Sequence, residues 1–116
     1  MLETGDRLLI AHRRLFADDH PRFFVGTVES YDAGVVLVAG HSWVRDPFSG
    51  DCVRKPDLRT KVISLVSGSI LVYRLPRDLN VDELRMEHGG DNELVLTDGD
   101  KLHMDLTERV PRRRVA

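Results

Sequence analysis

The stretch that decides the fold is residues 61–76, KVISLVSGSILVYRLP, the longest apolar run of the chain. It is rich in β-branched residues, is interrupted only at residues 67–69, and ends at Pro76, which cannot donate a ladder hydrogen bond. The pattern predicts two buried strands around a tight corner at Gly68. One of these strands is apolar on both faces, so a second surface must cover it, and another copy of the chain is a candidate.

Two glycine-bearing strands are predicted ahead of this stretch. Residues 22–31, RFFVGTVESY, and residues 35–44, VVLVAGHSWV, are rich in aromatic and β-branched side chains. Gly26 and Gly40 lie within them and permit the sharp bends of a small barrel. Residues 6–16 also fit a short helix, but the turn residues that flank them favour a first strand.

The connection between the third strand and the apolar stretch is unusually long. Residues 45–59, RDPFSGDCVRKPDLR, contain two prolines, a glycine and alternating charges. This composition predicts a loop of about fifteen residues, whereas most connections have about 4–6. Long loops of this kind are commonly functional or mobile.

The C-terminal part predicts a three-stranded β-meander with an acidic outer face. Asp78 is a candidate cap for a short helical turn before it. The predicted strands are residues 83–87, 93–97 and 101–106. The turn signals between them are residues 88–91 and the Asp98-Gly99 pair.

Composition indicates one β domain in three segments. At 116 residues, with 41% hydrophobic and 31% charged residues, the chain suits a single modest core. We expect a barrel core at residues 1–76, an acidic β extension at 77–108 packed on the same domain, and a basic disordered tail at 109–116.

Charge is distributed unevenly along these segments. Lys and Arg number eleven against nine Asp and Glu in residues 1–77, but two against ten in residues 78–108, and residues 109–116 carry four arginines alone. The formal net charge is -2, so the whole molecule has little attraction for nucleic acid or anionic membranes. The single cysteine, Cys52, excludes an internal disulfide and fits a reducing compartment. No apolar run approaches the ~20 residues of a membrane span, and we expect a soluble cytoplasmic protein.

Two segments resemble the two sequence motifs of the Sm-like (LSm) family. Residues 26–38, GTVESYDAGVVLV, are similar to the first motif, in which a glycine-bearing strand runs into an aromatic-Asp pair, a loop and an apolar strand. Residues 62–75, VISLVSGSILVYRL, are similar to the second motif, a strand that ends in a glycine corner before a short strand. The resemblance extends over residues 6–76, with the 45–59 loop as an insertion and the C-terminal meander as an addition.

The resemblance implies a fold and an assembly. The fold is a five-stranded, strongly bent antiparallel barrel of the SH3-like or Sm-like type, and the assembly is a cyclic homo-oligomer. In such rings the fourth strand of one protomer pairs with the fifth of its neighbour. The interface residues implied for this chain are Val62, Ile63, Leu65, Val66, Ile70, Leu71, Val72 and Tyr73.

The resemblance also makes RNA a candidate ligand, although two key positions depart from the pattern. Val36 stands where the RNA-contacting asparagine of the first motif is usual, and Ser67 replaces the arginine that precedes the second-motif glycine. The remaining candidates for ligand or RNA contact are Tyr31, Asp32, Trp43, Arg45, Arg54 and Lys55. Trp43 at a strand end also fits the rim of the core, and that interpretation is the simpler one.

Basic residues near predicted loop ends are also candidates for a polyanion surface. They are Arg13, Arg14, Arg22, Arg45, Arg54, Lys55, Arg59 and Lys61. Acidic residues such as Asp18, Asp19, Asp46, Asp51 and Asp57 lie beside them in sequence. This alternation favours a solvated, charge-balanced face over a polyanion site.

No pattern of catalytic or metal-ligating residues is present. The five histidines lack the close spacing of a metal site, so we expect no metal and no cofactor. Cys52 has Arg54 and Lys55 nearby, which would lower its pKa, but no histidine is adjacent to make it a nucleophile. No phosphate-binding glycine loop and no nucleophile elbow occur, and we expect a protein that is not an enzyme.

Two functions remain open on the sequence alone. The first is a non-enzymatic, Sm-like ring-forming assembly or binding module, with RNA as a candidate ligand. The second is a small SH3-like barrel that binds a protein partner as a monomer or dimer. The oligomeric mass in solution distinguishes the two.

Overall fold

The structure is a computed structural model, and it describes residues 2–13, 22–88 and 94–106. This part of the chain is mainly β, as predicted, with antiparallel pairing in two sheets and one turn of 3₁₀ helix at Val81–Glu83. The strands in chain order are β1 (Arg7–His12), β2 (Phe23–Asp32), β3 (Val35–Arg45), β4 (Cys52–Arg54), β5 (Arg59–Ser64), β6 (Ile70–Leu75), β7 (Arg85–His88), β8 (Leu94–Thr97) and β9 (His103–Asp105).

Both strands of the apolar stretch, β5 and β6, lie at edges of the first sheet. Its order is β4-β3-β2-β1-β6, and β5 pairs with the first half of β3 while β4 pairs with the second half. In the described residues, β5 pairs only with β3 and β6 pairs only with β1. The sheet is therefore open between β5 and β6.

The inner face of this sheet encloses the first of two apolar clusters. Residues directly opposite on paired strands share a face, and residues two apart on one strand do so as well. This inner cluster consists of Leu8, Ile10, Phe24, Val28, Val36 and Val38, all of them buried.

The second apolar cluster lies between the two sheets. The second sheet has the order β7-β8-β9 and packs against the outer face of the first. Leu9 on β1 and Tyr73 and Leu75 on β6 face this intersheet cluster. The other members are Phe23, Val25, Trp43, Cys52, Leu79, Leu84, Met86, Leu94 and Leu96.

Strand β6 is apolar on both faces because each face packs against one of the two apolar clusters. Val72 packs against the inner cluster, while Tyr73 and Leu75 pack against the intersheet cluster. The second sheet covers the outer face of β6, so this face needs no second copy of the chain.

The prediction that residues 61–76 form two buried strands is wrong for the single chain. Val62 on β5 is 73% exposed and Leu71 on β6 is 39% exposed. Both strands lie at sheet edges, and their inward-facing apolar side chains are only half-buried. An apolar sequence pattern reports affinity for an apolar surface, but not whether that surface belongs to the same chain.

The prediction of one long loop at residues 45–59 is also wrong. Strand β4 forms a hairpin with β3, with Arg45 opposite Cys52 and Trp43 opposite Arg54. Its turn is held by hydrogen bonds from the Asp46 amide to the Asp51 carbonyl (2.7 Å) and from the Gly50 amide to the Asp46 carbonyl (2.8 Å). The polar composition concealed a strand of only three residues whose single buried member is Cys52.

Glycine is required where β2 and β3 come together. Gly26 and Gly40 lie opposite each other, and a Cβ on Gly40 would overlap the carbonyl oxygen of Val25. This close approach accompanies an irregular register between Val28 and Ser30 on β2. Glycine at these two positions thus permits a backbone contact between β2 and β3 that is too close for any side chain.

The C-terminal part differs from prediction in detail. Asn80 rather than Asp78 caps the 3₁₀ turn, because its side chain accepts a hydrogen bond from the Asp82 amide at 3.1 Å. The connection of β8 to β9 uses five residues, 98–102, rather than the two of an Asp98-Gly99 hairpin. Most of the predicted 88–91 turn and the tail at 109–116 lie outside the described residues.

Candidate functional site

The six predicted ligand residues do not form one site. Tyr31 and Asp32 end β2, whereas Arg45 ends β3 at the opposite end of the paired strands. Arg54 and Lys55 lie near that second end, because Arg54 is opposite Trp43. A ten-residue strand is about 30 Å long, so the two groups are too far apart to contact one small ligand.

Tyr31 and Asp32 lie at the β2-β3 turn, which contacts the segment after β5. The Leu65 amide donates to the Gly34 carbonyl at 2.8 Å, which joins the β2-β3 turn to the segment after β5. Val36 in this region is completely buried, so it cannot contact a ligand. Ser67 is exposed, but its hydroxyl already bonds the Ser69 hydroxyl at 3.0 Å.

Gly68 adopts a left-handed backbone with φ of +75°. A Cβ added there would meet nothing within 4 Å. Of the two reasons expected for glycine at the corner, backbone conformation applies and close approach does not.

Trp43 is a core residue and not a stacking platform. It is 4% exposed and lies in the intersheet cluster. Beside it, a cleft of about 230 Å³ opens on the outer face of β2 and β3. Arg54 and Asp82 bridge its rim with a 3.5 Å ion pair, and Leu58 stands at its edge with 69% exposure.

Cys52 has the opposite character from the one that its sequence neighbours imply. The side chain is buried in the intersheet cluster, and burial raises the pKa of its thiol to about 11. The two nearby cations do not offset this burial. A thiol protonated at neutral pH is a packing group and a poor nucleophile.

The eight predicted interface residues divide into three sets. Val62, Val66 and Leu71 are exposed. Tyr73 is half-buried against the intersheet cluster. The remaining four pack, partly buried, against the inner cluster: Ile63, Leu65, Ile70 and Val72.

Five basic side chains converge at one end of the inner face, and we call this group the cationic mouth. Lys61 on β5 is opposite Val38 and holds its ammonium 4.7 Å from the centre of the Phe24 ring. Arg59 lies two residues before Lys61, and thus on the same face. The other members, His12, Arg22 and Lys55, come from three different segments of the chain.

Backbone hydrogen bonds bring these three segments to the mouth. The His12 amide donates to the Arg22 carbonyl at 3.0 Å, so both follow the face of their neighbours Ile10 and Phe24. The Lys55 amide donates to the Ser42 carbonyl at 2.8 Å. Four of the five members belong to the basic residues that the sequence assigns to a charge-balanced surface. His12 does not, because only the pairing of the strands places its side chain beside the others.

The mouth alters the titration of two of its members. Burial, Lys61 and Arg22 together lower the pKa of His12. Burial and the charges of Arg59, Arg22 and Lys55 lower the pKa of Lys61. Positive charges are therefore close enough to destabilise one another.

Comparisons with protein-family models, with curated proteins and with solved structures found no significant match. Within residues 2–13, 22–88 and 94–106, no three His, Cys, Asp or Glu side chains group as a metal site would require. The same part of the chain has no helix with the length and hydropathy of a membrane crossing.

Proposed function

We propose that this protein is a non-enzymatic assembly module of the Sm-like type, in which copies associate by strand addition between β5 of one chain and β6 of the next. The observation that carries the proposal is the open first sheet: within the described residues, β5 and β6, both from the apolar stretch, each have one strand edge without a partner. An unpaired strand edge is a template for pairing with another chain.

The strand order supports the Sm-like interpretation. If β4 is treated as an insertion, the order of the first sheet is β6-β1-β2-β3-β5. Strands β5 and β6 then take the places of the fourth and fifth strands, which pair between neighbours in rings of that family. Because the two edges differ, the contact is head-to-tail and repeats around a closed ring of about five to seven subunits.

Exposed apolar side chains also favour an interface at β5 and β6. Val62 and Val66 are 73% and 85% exposed, and Leu71 on the other edge is also exposed. Pairing of the edges would remove these apolar side chains from water and satisfy the free backbone groups in one step.

Light scattering after size-exclusion chromatography tests the assembly. We expect a mass about five to seven times that of the 13.2 kDa chain, whereas a concentration-independent mass of 13.2 kDa would exclude the ring. Val62→Lys should dissociate the assembly without unfolding the chain, because position 62 is solvent-exposed in a single copy and a lysine there would have to be desolvated at the interface. Val53→Lys, the same change at an exposed position of β4, is the matched control and should leave the mass unchanged.

A second candidate function rests on the β3-β4 turn. Phe48 at this turn is 98% exposed. The turn is ordered, because the Phe48 amide donates to the Asp46 carboxylate at 2.9 Å and the Asp51 amide donates to the Ser49 hydroxyl at 3.2 Å. An exposed aromatic on an ordered turn suits a small barrel that recognises a protein partner. A monomeric mass would favour this alternative over the ring.

A further inference from the structure

We propose that the cationic mouth is a phosphate-binding site, with Arg22, Arg59 and Lys61 as the contacting residues and His12 and Lys55 at its rim. This inference goes beyond the proposed assembly function. It rests on residues of a single chain and requires no partner copy.

The geometry explains why these groups share one site. Lys61 packs over Phe24, which places its ammonium at the edge of the inner cluster. Arg22 and Arg59 flank it on the same face, from the start of β2 and the start of β5. Both arginines are exposed, and a ligand can therefore reach their guanidinium groups.

The charge balance favours an anion with more than one negative charge. Among the described residues, the only acidic side chain paired with a member of the mouth is Asp57, which lies 3.7 Å from Arg59. Arg22, Lys55 and Lys61 form no ion pair in that part of the chain. Within the described residues, one carboxylate cannot offset the cations of the mouth, and a multivalent anion can.

The donor types favour phosphate among multivalent anions. Guanidinium groups present paired N–H donors that match the oxygens of a phosphate group, and an ammonium adds a point charge. The lowered pKa of Lys61 and of His12 marks a repulsion that a bound anion would relieve. Clustered groups with perturbed pKa values are typical of functional sites.

Isothermal titration calorimetry with two probes, inorganic pyrophosphate and a short oligouridine, tests the site at low ionic strength. We expect the wild-type chain to bind at least one of them. Tighter binding of oligouridine would identify a nucleic-acid backbone as the source of phosphate, and equal or tighter binding of pyrophosphate would identify a small phosphorylated ligand.

Variants separate a built site from general charge attraction. Arg59→Gln and Lys61→Gln should each weaken binding about tenfold or more, because each removes a charge-assisted hydrogen bond. Lys101→Gln makes the same charge change on an exposed lysine before β9, and its Kd should stay within about twofold of wild type. Equal losses in all three variants, or no binding of either probe by the wild type, would overturn the proposal.

A second readout is the shift in melting temperature that ligand produces. Added pyrophosphate should raise the melting temperature of the wild type more than that of Lys61→Gln, because a ligand stabilises the folded state in proportion to its affinity. An equal ligand-induced shift in both would contradict the site. The Val62→Lys variant should retain wild-type affinity, so failure of the assembly proposal and failure of this one give different results.

Discussion

Gly68 shows how one backbone angle constrains this molecule. Its φ of +75° lies in the left-handed region, which costs a residue with a Cβ roughly 1–2 kcal/mol. We therefore expect Gly68→Val to lower the free energy of unfolding by about 1–3 kcal/mol, with the upper part of the range due to β-branching. Urea denaturation measures the change.

The matched control at this position is Gly68→Asn. Asparagine tolerates the left-handed region better than valine, and no atom lies within 4 Å of the added Cβ. Its loss of stability should be clearly smaller. Equal losses for both variants would show that space, and not backbone conformation, decides the cost.

His12 is expected to make stability pH-dependent. Burial and the cations of the mouth lower the pKa of His12 in the folded protein, so the unfolded chain binds the proton more tightly. Stability is therefore unaffected by this group above the unfolded pKa of about 6.5 and falls as the pH decreases below it. Urea denaturation at about pH 7.5 and about pH 5.5 should show the lower free energy of unfolding at the acidic pH.

Replacement of His12 isolates this effect. In His12→Gln the difference in stability between the two pH values should shrink. His103→Gln, at an exposed position on β9, should keep the full difference. If both variants behave like wild type, the acid sensitivity arises elsewhere.

At the scale of elements, the second sheet is an integral part of the fold. Leu96 on β8 is completely buried in the intersheet cluster, which also contains Trp43. We expect Leu96→Ala to lower the free energy of unfolding by about 2–5 kcal/mol, the usual cost of truncating a buried leucine. The fluorescence of Trp43, the single tryptophan, follows the unfolding directly.

The control for this substitution lies on the same chain but outside both clusters. Val66→Ala removes an apolar side chain that is 85% exposed, and the free energy should change by less than about 0.5 kcal/mol. A similarly small change for Leu96→Ala would mean that the second sheet contributes little to folding.

At the scale of the whole molecule, the net charge of -2 limits binding of nucleic acid. We predict that oligouridine binds weakly at physiological salt, because Val36 and Ser67 supply no base contacts and the acidic residues of the C-terminal part repel phosphate. Any binding through the mouth should weaken with salt, with a slope of log K against log salt of about -2 to -3 for three to four cations on a single strand.

Filter binding at two salt concentrations measures this slope. Deleting residues 111–116 removes three arginines and tests whether the tail contributes to the remaining affinity. Tight binding that survives both the deletion and ~0.2 M salt would show base-specific contacts, since phosphate contacts weaken steeply over that range.

Local sequence patterns determined the β class, the two central strands and the corner. The strands predicted at residues 22–31 and 35–44 are present as β2 and β3, because β-branched and aromatic residues favour extended backbone wherever the chain places them. The sequence predicts the corner at Gly68 because a glycine between two apolar runs marks a position where the backbone can adopt a conformation that other residues avoid.

Tertiary structure decided what each strand faces. Cys52 has a polar sequence environment but is buried, since three residues of β4 align with the end of β3 and bring its side chain under the second sheet. The cationic mouth likewise exists only through register, because its members come from four separate segments of the chain. Alternation along a strand predicts which residues share a face, but pairing between distant segments determines which faces meet.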